Sequence, residues 1–242
     1  MNSSFIILCF SLLMFGCQST GTQKIDQDIQ LAQTALANGH ADNALVIYKQ
    51  KLKQTPDDAQ LLFLAGSACN QSARYDEALY YLNKGSTLAP SSEFDRELGR
   101  AHLALGNIRL AADTLHKAVE NNPSDDIALN SLGVTYSLQK NYVKARSAFK
   151  GAINIRPDSL EYRNNLALGW LLDGQAEQSI QILYPIYLRG EATSKVRLNL
   201  ALAYAANGKL EAAKTIAMSE LNQSELESTL GYYQTLAEQG IN

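Results

Sequence analysis

The chain has 242 residues, room for one ordinary domain or a modest repeat array. Its 21 Lys and Arg against 24 Asp and Glu leave a net charge of −3, which excludes the electrostatic footprint of a nucleic-acid binder or a polybasic lipid patch. Gly and Pro make up about 8% against a usual share of roughly 12%. Hydrophobic content is 46% and there are three cysteines, a composition that fits a helical chain with an adequate core rather than a disulfide mini-domain or a disordered segment.

In chain order, residues 5–16 (FIILCFSLLMFG) are almost continuously apolar, and Cys17 and a polar run follow at once. Twelve helical residues span about 18 Å, short of the roughly 30 Å hydrocarbon core, so residues 1–16 read as a signal peptide and not as a membrane anchor. Gly16 directly before Cys17 resembles a bacterial lipobox. That resemblance implies cleavage before Cys17 and acylation of its thiol and new amino terminus. With Gln18 in place of Asp, it also implies sorting to the outer membrane, facing the periplasm. Residues 17–24 are then expected to be a flexible lipidated tether, held by acyl chains whose buried CH₂ groups contribute about 0.8 kcal/mol each.

From residue 25 the sequence repeats. Pro56, Pro90, Pro123 and Pro157 recur every 33 or 34 residues, which frames units starting at 25, 59, 92, 126, 160 and 194. Position seven reads Leu31, Ala65, Leu98, Leu132, Leu166 and Leu200. Position eight holds Ala32, Gly66, Gly99, Gly133, Ala167 and Ala201, and position twenty holds Ala44, Ala78, Ala111, Ala145, Ser179 and Ala213. Small residues at both let two helix backbones approach closely, with leucine filling the ridge beside them. Gly39, Gly106, Gly174 and Gly208 share position fifteen, where a first helix would end in a left-handed cap. The prolines at position 32 would stop the second helix. Each unit is a helix–turn–helix that can bury its apolar face only against neighbours.

This pattern resembles the tetratricopeptide repeat, most clearly in the fourth unit with Leu132, Gly133, Tyr136, Ala145, Phe149, Ala152 and Pro157. The resemblance implies an all-α, right-handed superhelical solenoid of about six repeats over residues 25–223. Pro185 is expected to kink or shorten the second helix of unit five. Ser224 and Glu227 have the spacing of a capping box that opens a final helix, residues 224–242 forming a cap and tail.

No HExxH, paired-cysteine metal spacing or GxSxG occurs, so no catalytic residue, metal or cofactor is expected and the chain reads as a non-enzyme. His40 falls in a turn and reads as solvated. His102 stands where other units place Tyr136, Trp170 and Tyr204, as a core-filling ring. Cys69 occupies the same position as a small buried hydrophobe. Tyr80–Tyr81 and Tyr232–Tyr233 are expected at helix interfaces.

In tetratricopeptide arrays the first helices line a concave groove through positions 2, 5, 9 and 12. On this chain the resemblance implies a partner-binding groove that includes Arg96, Arg100, Asn130, Val134, Asn164, Leu168, Leu171, Leu198 and Leu202, with Glu161 and Lys195 at position two. The groove is expected to be polar toward its N-terminal half and apolar toward its C-terminal half. Leu166 and Leu200 are expected to be buried instead. The Lys/Asn/Arg set that clamps C-terminal carboxylates in co-chaperone repeats is not reproduced.

The tract Asn164-Asn165-Leu166-Ala167-Leu168, the helix-breaking Pro185, the tract Arg197-Leu198-Asn199-Leu200-Ala201-Leu202 and the terminal Tyr232-Tyr233 follow one another in order behind the lipobox. This succession resembles the TadD family, the tetratricopeptide lipoproteins of tight-adherence (Flp) pilus assembly. The resemblance implies a pilotin-like assembly factor. Its partners would be a secretin subunit or another pilus component, with the membrane reached through the N-terminal acyl chains and no nucleic acid. The related readings are the six-repeat lipoprotein pilotin of type IV pili and a lipoprotein regulator of cell-wall enzymes.

Overall fold

A computed structural model describes residues 20–239, and thirteen α-helices account for nearly all of them. The first helices of the six units are α1 (Thr20–Ala37), α3 (Ala59–Gln71), α5 (Ser92–Ala104), α7 (Asp126–Leu138), α9 (Leu160–Leu172) and α11 (Ser194–Ala206). The second helices are α2 (Ala41–Leu52), α4 (Tyr75–Leu88), α6 (Ile108–Asn121), α8 (Tyr142–Ile155), α10 (Ala176–Leu188) and α12 (Leu210–Ala217), and α13 (Gln223–Gln239) closes the array. Each helix packs on the one before and the one after it, a single row of stacked pairs.

Local chemistry explains why the helices begin and end where they do. Asp58, Asp125, Ser159 and Thr193 each accept a hydrogen bond from the backbone N–H three residues on, satisfying an otherwise orphaned donor at the start of α3, α7, α9 and α11. The turn residue at position fifteen has a positive φ in all six units: Gly39, Gly106, Gly174 and Gly208, but also Ala73 (57°) and Lys140 (58°). The left-handed turn is therefore demanded by the geometry of the pair even where the sequence supplies no glycine.

The pair itself is set by contact between positions eight and twenty-four. A Cβ on Gly66 would lie 2.4 Å from Leu82, on Gly99 2.5 Å from Leu115, and on Gly133 2.5 Å from the Phe149 ring. The six residues at position twenty, Ala44 through Ala213, are all fully buried. Position seven is buried in five units. Leu31 is the exception at 62% exposure, because no described helix precedes α1 to cover it. The buried apolar residues gather into a cluster running from Ala32 to Ala101 and another from Ala167 to Leu226. Two small clusters, around Leu115 and Phe149, lie between.

Two expectations need correction. Backbone 20–24 is helical rather than a tether, since adding residues to the helix that α1 already forms costs no new nucleus, even with Thr20, Gly21 and Thr22 there. The final helix starts on a different box: Asn222 Oδ1 accepts from Glu225 N and Glu225 Oε2 accepts from Asn222 N, both at 3.0 Å. The chain turns two residues before Ser224 because α12 is only eight residues long. Pro185 lies inside a continuous α10 of thirteen residues. Pro185 and Gln181, whose carbonyl loses its donor, are both exposed, where solvent can reach the unpaired carbonyl. Cys17 and the 1–16 segment lie outside the described residues.

If the glycine-against-ring contact sets the pair, Phe149→Ala should cost about 3–5 kcal/mol in urea denaturation. Adding Gly133→Leu to that variant should recover part of the loss, since it refills the vacated space from the opposite helix.

Candidate functional site

Consecutive first helices touch one another from α3 to α11, whereas consecutive second helices do not pack to a comparable extent. The first helices therefore form the inner wall of the array and the second helices its outer layer.

Much of that wall is tied together by its own polar side chains. Asn165 Nδ2 donates to Asn130 Oδ1 at 2.9 Å, and Asn130 Nδ2 donates to Glu161 at 3.2 Å. One repeat later Asn199 Nδ2 donates to Asn164 Oδ1 at 2.8 Å. Toward the N-terminus Asn70 Nδ2 donates to the backbone carbonyl and the carboxylate of Glu97, and Arg96 reaches Glu97 at 3.0 Å and Asp125 at 2.8 Å. Arg100 completes this cluster on Glu97 at 2.9 Å. Burial alone would pull the Arg96 pKa down, but Glu97 and Asp125 outweigh it and hold it above the ordinary value. Nearby, the Tyr162 hydroxyl donates to Asp126 at 2.6 Å, and Arg156 pairs with the same carboxylate at 2.9 Å. Buried polar groups are costly unless paired, and the bonds of Asn70 to Glu97, Arg96 to Asp125, Asn165 to Asn130, Asn199 to Asn164 and Tyr162 to Asp126 are made across repeats.

Between α7 and α9, with a contribution from α11, the wall opens into a depression of about 330 Å³. Val134, Leu138, Phe149, Leu168 and Leu172 give it an apolar floor, and Glu161 and Lys195 stand at its edge. Contiguous exposed apolar surface of this kind marks an interaction site.

The groove residues read from the sequence divide into two groups. Arg96, Arg100, Val134, Leu168, Leu198 and Leu202 are partly accessible on the first helices, and Val134 and Leu168 share the depression. Leu171 is fully buried against the C-terminal cluster, because position twelve of α9 meets the seam with α10 and α11 rather than the open wall. Asn130 and Asn164 are also buried, with both ends of the Asn130 amide but only the Asn164 oxygen engaged in inter-repeat bonds. Leu168 and Leu202 each pack in part on the same core cluster, so this wall is also the edge of the core. Leu166 and Leu200 are buried. Sequence reasoning missed Leu138 and Leu172. Both sit at position thirteen, the last residue of a first helix, and their shared position was the available signal.

Burial governs two of the titratable groups singled out in the sequence. The Cys69 thiol is completely buried, and burial with the nearby Glu77 pushes its pKa up to about 12, so it stays protonated and unreactive. Burial lowers the His102 pKa, and its Nδ1 is enclosed without a hydrogen-bond partner, in keeping with a space-filling ring. Tyr80 and Tyr232 are largely exposed, whereas Tyr81 packs in part on the N-terminal core cluster. Tyr80 instead makes an edge-to-face contact with Tyr81, centroids 5.2 Å apart.

A tetratricopeptide repeat family model matches residues 29–93 and 96–160. The chain belongs to the tetratricopeptide repeat family. The Arabidopsis thaliana protein described as a CTR9 homolog is 26% identical over 201 residues, 79% of this chain but 18% of that protein. The chain thus spans about a fifth of the length of that relative. Among solved structures, a chain of the Cut9–Hcn1 hetero-tetramer of the APC/C superposes with a TM-score of 0.78 at 18% identity, over 89% of this chain and 43% of that one. A thermophilic tetratricopeptide protein of Thermus thermophilus gives 0.64 at 21% identity, over 74% and 98%. YrrB, described as having an unusual peptide-binding site, gives 0.54 at 20% identity, over 72% and 94%. At these identities the likeness is one of fold. Arrays of this fold offer extended surfaces to protein partners, so the arrangement is that of a protein-interaction scaffold.

The two classes of leucine should separate experimentally. Leu166→Ala should cost about 2–5 kcal/mol, as a core truncation does. Leu168→Ala, half open to the depression, should cost about half of that or less by thermal denaturation, because less apolar area leaves water when it is buried.

Proposed function

We propose that this protein is a lipid-anchored assembly factor of the outer membrane that captures a segment of the secretin of a tight-adherence (Flp) pilus system on its inner wall. The observation that carries the scaffold reading is the apolar depression between α7 and α9, bordered by one acidic and one basic side chain. The finer assignment is supported by the tracts that resemble TadD lipoproteins. Asn164–Leu168 and Arg197–Tyr204 lie on α9 and α11, two of the first helices that border the depression. Anchorage is supported by Gly16-Cys17 after the apolar leader. In this reading the acyl chains hold the array at the membrane and the inner wall holds the partner until its ring is assembled.

Two experiments test the proposal in cells. Deleting the gene should reduce heat-resistant secretin multimers while secretin transcription is unchanged; normal multimers would remove the assembly role. Cys17→Ser should abolish labelling by a fatty-acid probe and release the protein from the outer-membrane fraction. Unchanged labelling and fractionation would rule out the anchor without touching the role of the wall.

A further inference from the structure

The asparagine bonds on the inner wall obey a rule that is broken at one place. In the rung between units four and five, Asn130 is fully used: its oxygen accepts from Asn165 and its amide nitrogen donates to the carboxylate of Glu161. Asn165 and Glu161 lie four residues apart on one face of α9. The next rung repeats the first half of this pattern, with Asn164 Oδ1 accepting from Asn199 on α11. The residue equivalent to Glu161 is now Lys195, four residues before Asn199. An ammonium cannot accept a hydrogen bond. Asn164 is only 2% exposed, and its Nδ2 has no partner. Lys195 in turn pairs with no acidic group among the described residues. Two donors, one of them charged, thus share a rung that lacks an acceptor. Lys195 stands at the edge of the same depression whose floor is Val134, Leu138, Leu168 and Leu172.

We infer that this rung is completed by the partner, whose glutamate side chain takes the place that Glu161 fills one repeat earlier while an adjacent large apolar side chain enters the depression. The flexible, exposed Lys195 side chain swings aside to admit the carboxylate and pairs with it, and Asn164 Nδ2 gains the acceptor it lacks. The occupant is a glutamate because that is the group the neighbouring rung uses, in the same geometry and from a side chain. Glu161 also lines the depression, so a second acid beside it is repelled and the segment binds in one direction. This inference rests on the scaffold reading of the wall and is independent of whether the partner is a secretin.

The probe is a fluorescein-labelled decapeptide, amidated at its C-terminus, with one Leu-Glu pair in a Ser/Gly background, titrated into the full chain by fluorescence anisotropy. Replacing its glutamate by glutamine should weaken binding by about tenfold or more, the worth of a charge-assisted hydrogen bond. Replacing its leucine by serine should do the same. Lys195→Ala in the protein should weaken the glutamate peptide by a similar factor and leave the glutamine peptide unaffected. Lys195→Glu supplies the missing carboxylate in cis. It should melt no lower than the parent and bind the peptide at least a hundredfold more weakly. Equal binding of the Glu and Gln peptides would overturn the inference, as would affinity that appears only when the carboxylate is the peptide's C-terminus, or binding insensitive to Lys195→Glu. Secretin capture that persists in Lys195→Glu would also overturn it, yet leave the scaffold reading standing. Loss of capture in a variant whose depression is filled by Val134→Trp tests that reading separately.

Discussion

Three helix pairs in this array rest on one close approach, a glycine at position eight against the residue at position twenty-four, and the other three carry a fully buried alanine at that position. With Leu82, Leu115 and Phe149 lying 2.4–2.5 Å from where a Cβ would sit, the glycine units tolerate nothing larger without repacking. Once two helices lie that close, the rest follows. The connecting turn must reverse within a few residues, which forces position fifteen into the left-handed region even at Ala73 and Lys140. The reversal aims the second helix at the following first helix, and the capping residue before that helix stops the chain from fraying at the joint.

Between pairs a different kind of contact operates. Apolar packing accounts for the two large clusters near the ends, but apolar surfaces can slide over one another at small cost. The wall formed by the first helices is fixed by directional bonds instead: Asn130 to Asn165, Asn164 to Asn199, Arg96 to Asp125. Each is satisfied in only one alignment of neighbouring repeats. A buried amide out of register would forfeit its bond and retain its desolvation cost. The wall is therefore specified more by its polar residues than by its leucines, and the concave surface inherits its regularity from them.

This division explains what could be read from the sequence. Helix positions, turns and the fully buried small residues are properties of one repeat, and a 34-residue period displays them directly. The fate of Leu171, Asn130 and Asn164 is a property of two neighbouring repeats. Their positions within the unit suggested an open groove, but whether a side chain at position five or twelve is free depends on what the next first helix presents. That register is invisible in a single unit. The closing helix failed for a simpler reason: Asn222–Glu225 and Ser224–Glu227 are overlapping candidates for the same box, and the length of α12 chose between them.

The two ends of the described array are unlike. At the C-terminal end α13 packs on α11 and α12, and Leu226 is 5% exposed. At the N-terminal end Leu31 occupies the ridge position that is buried in the other five units, and it lies open. In a stack where each pair leans only on its neighbours, a terminal pair covered on one side has the least holding it. Among the described residues the two edges thus differ in what they offer a neighbour: α13 closes one end over α11 and α12, while the other presents the leucine ridge of α1 as an unoccupied stacking face.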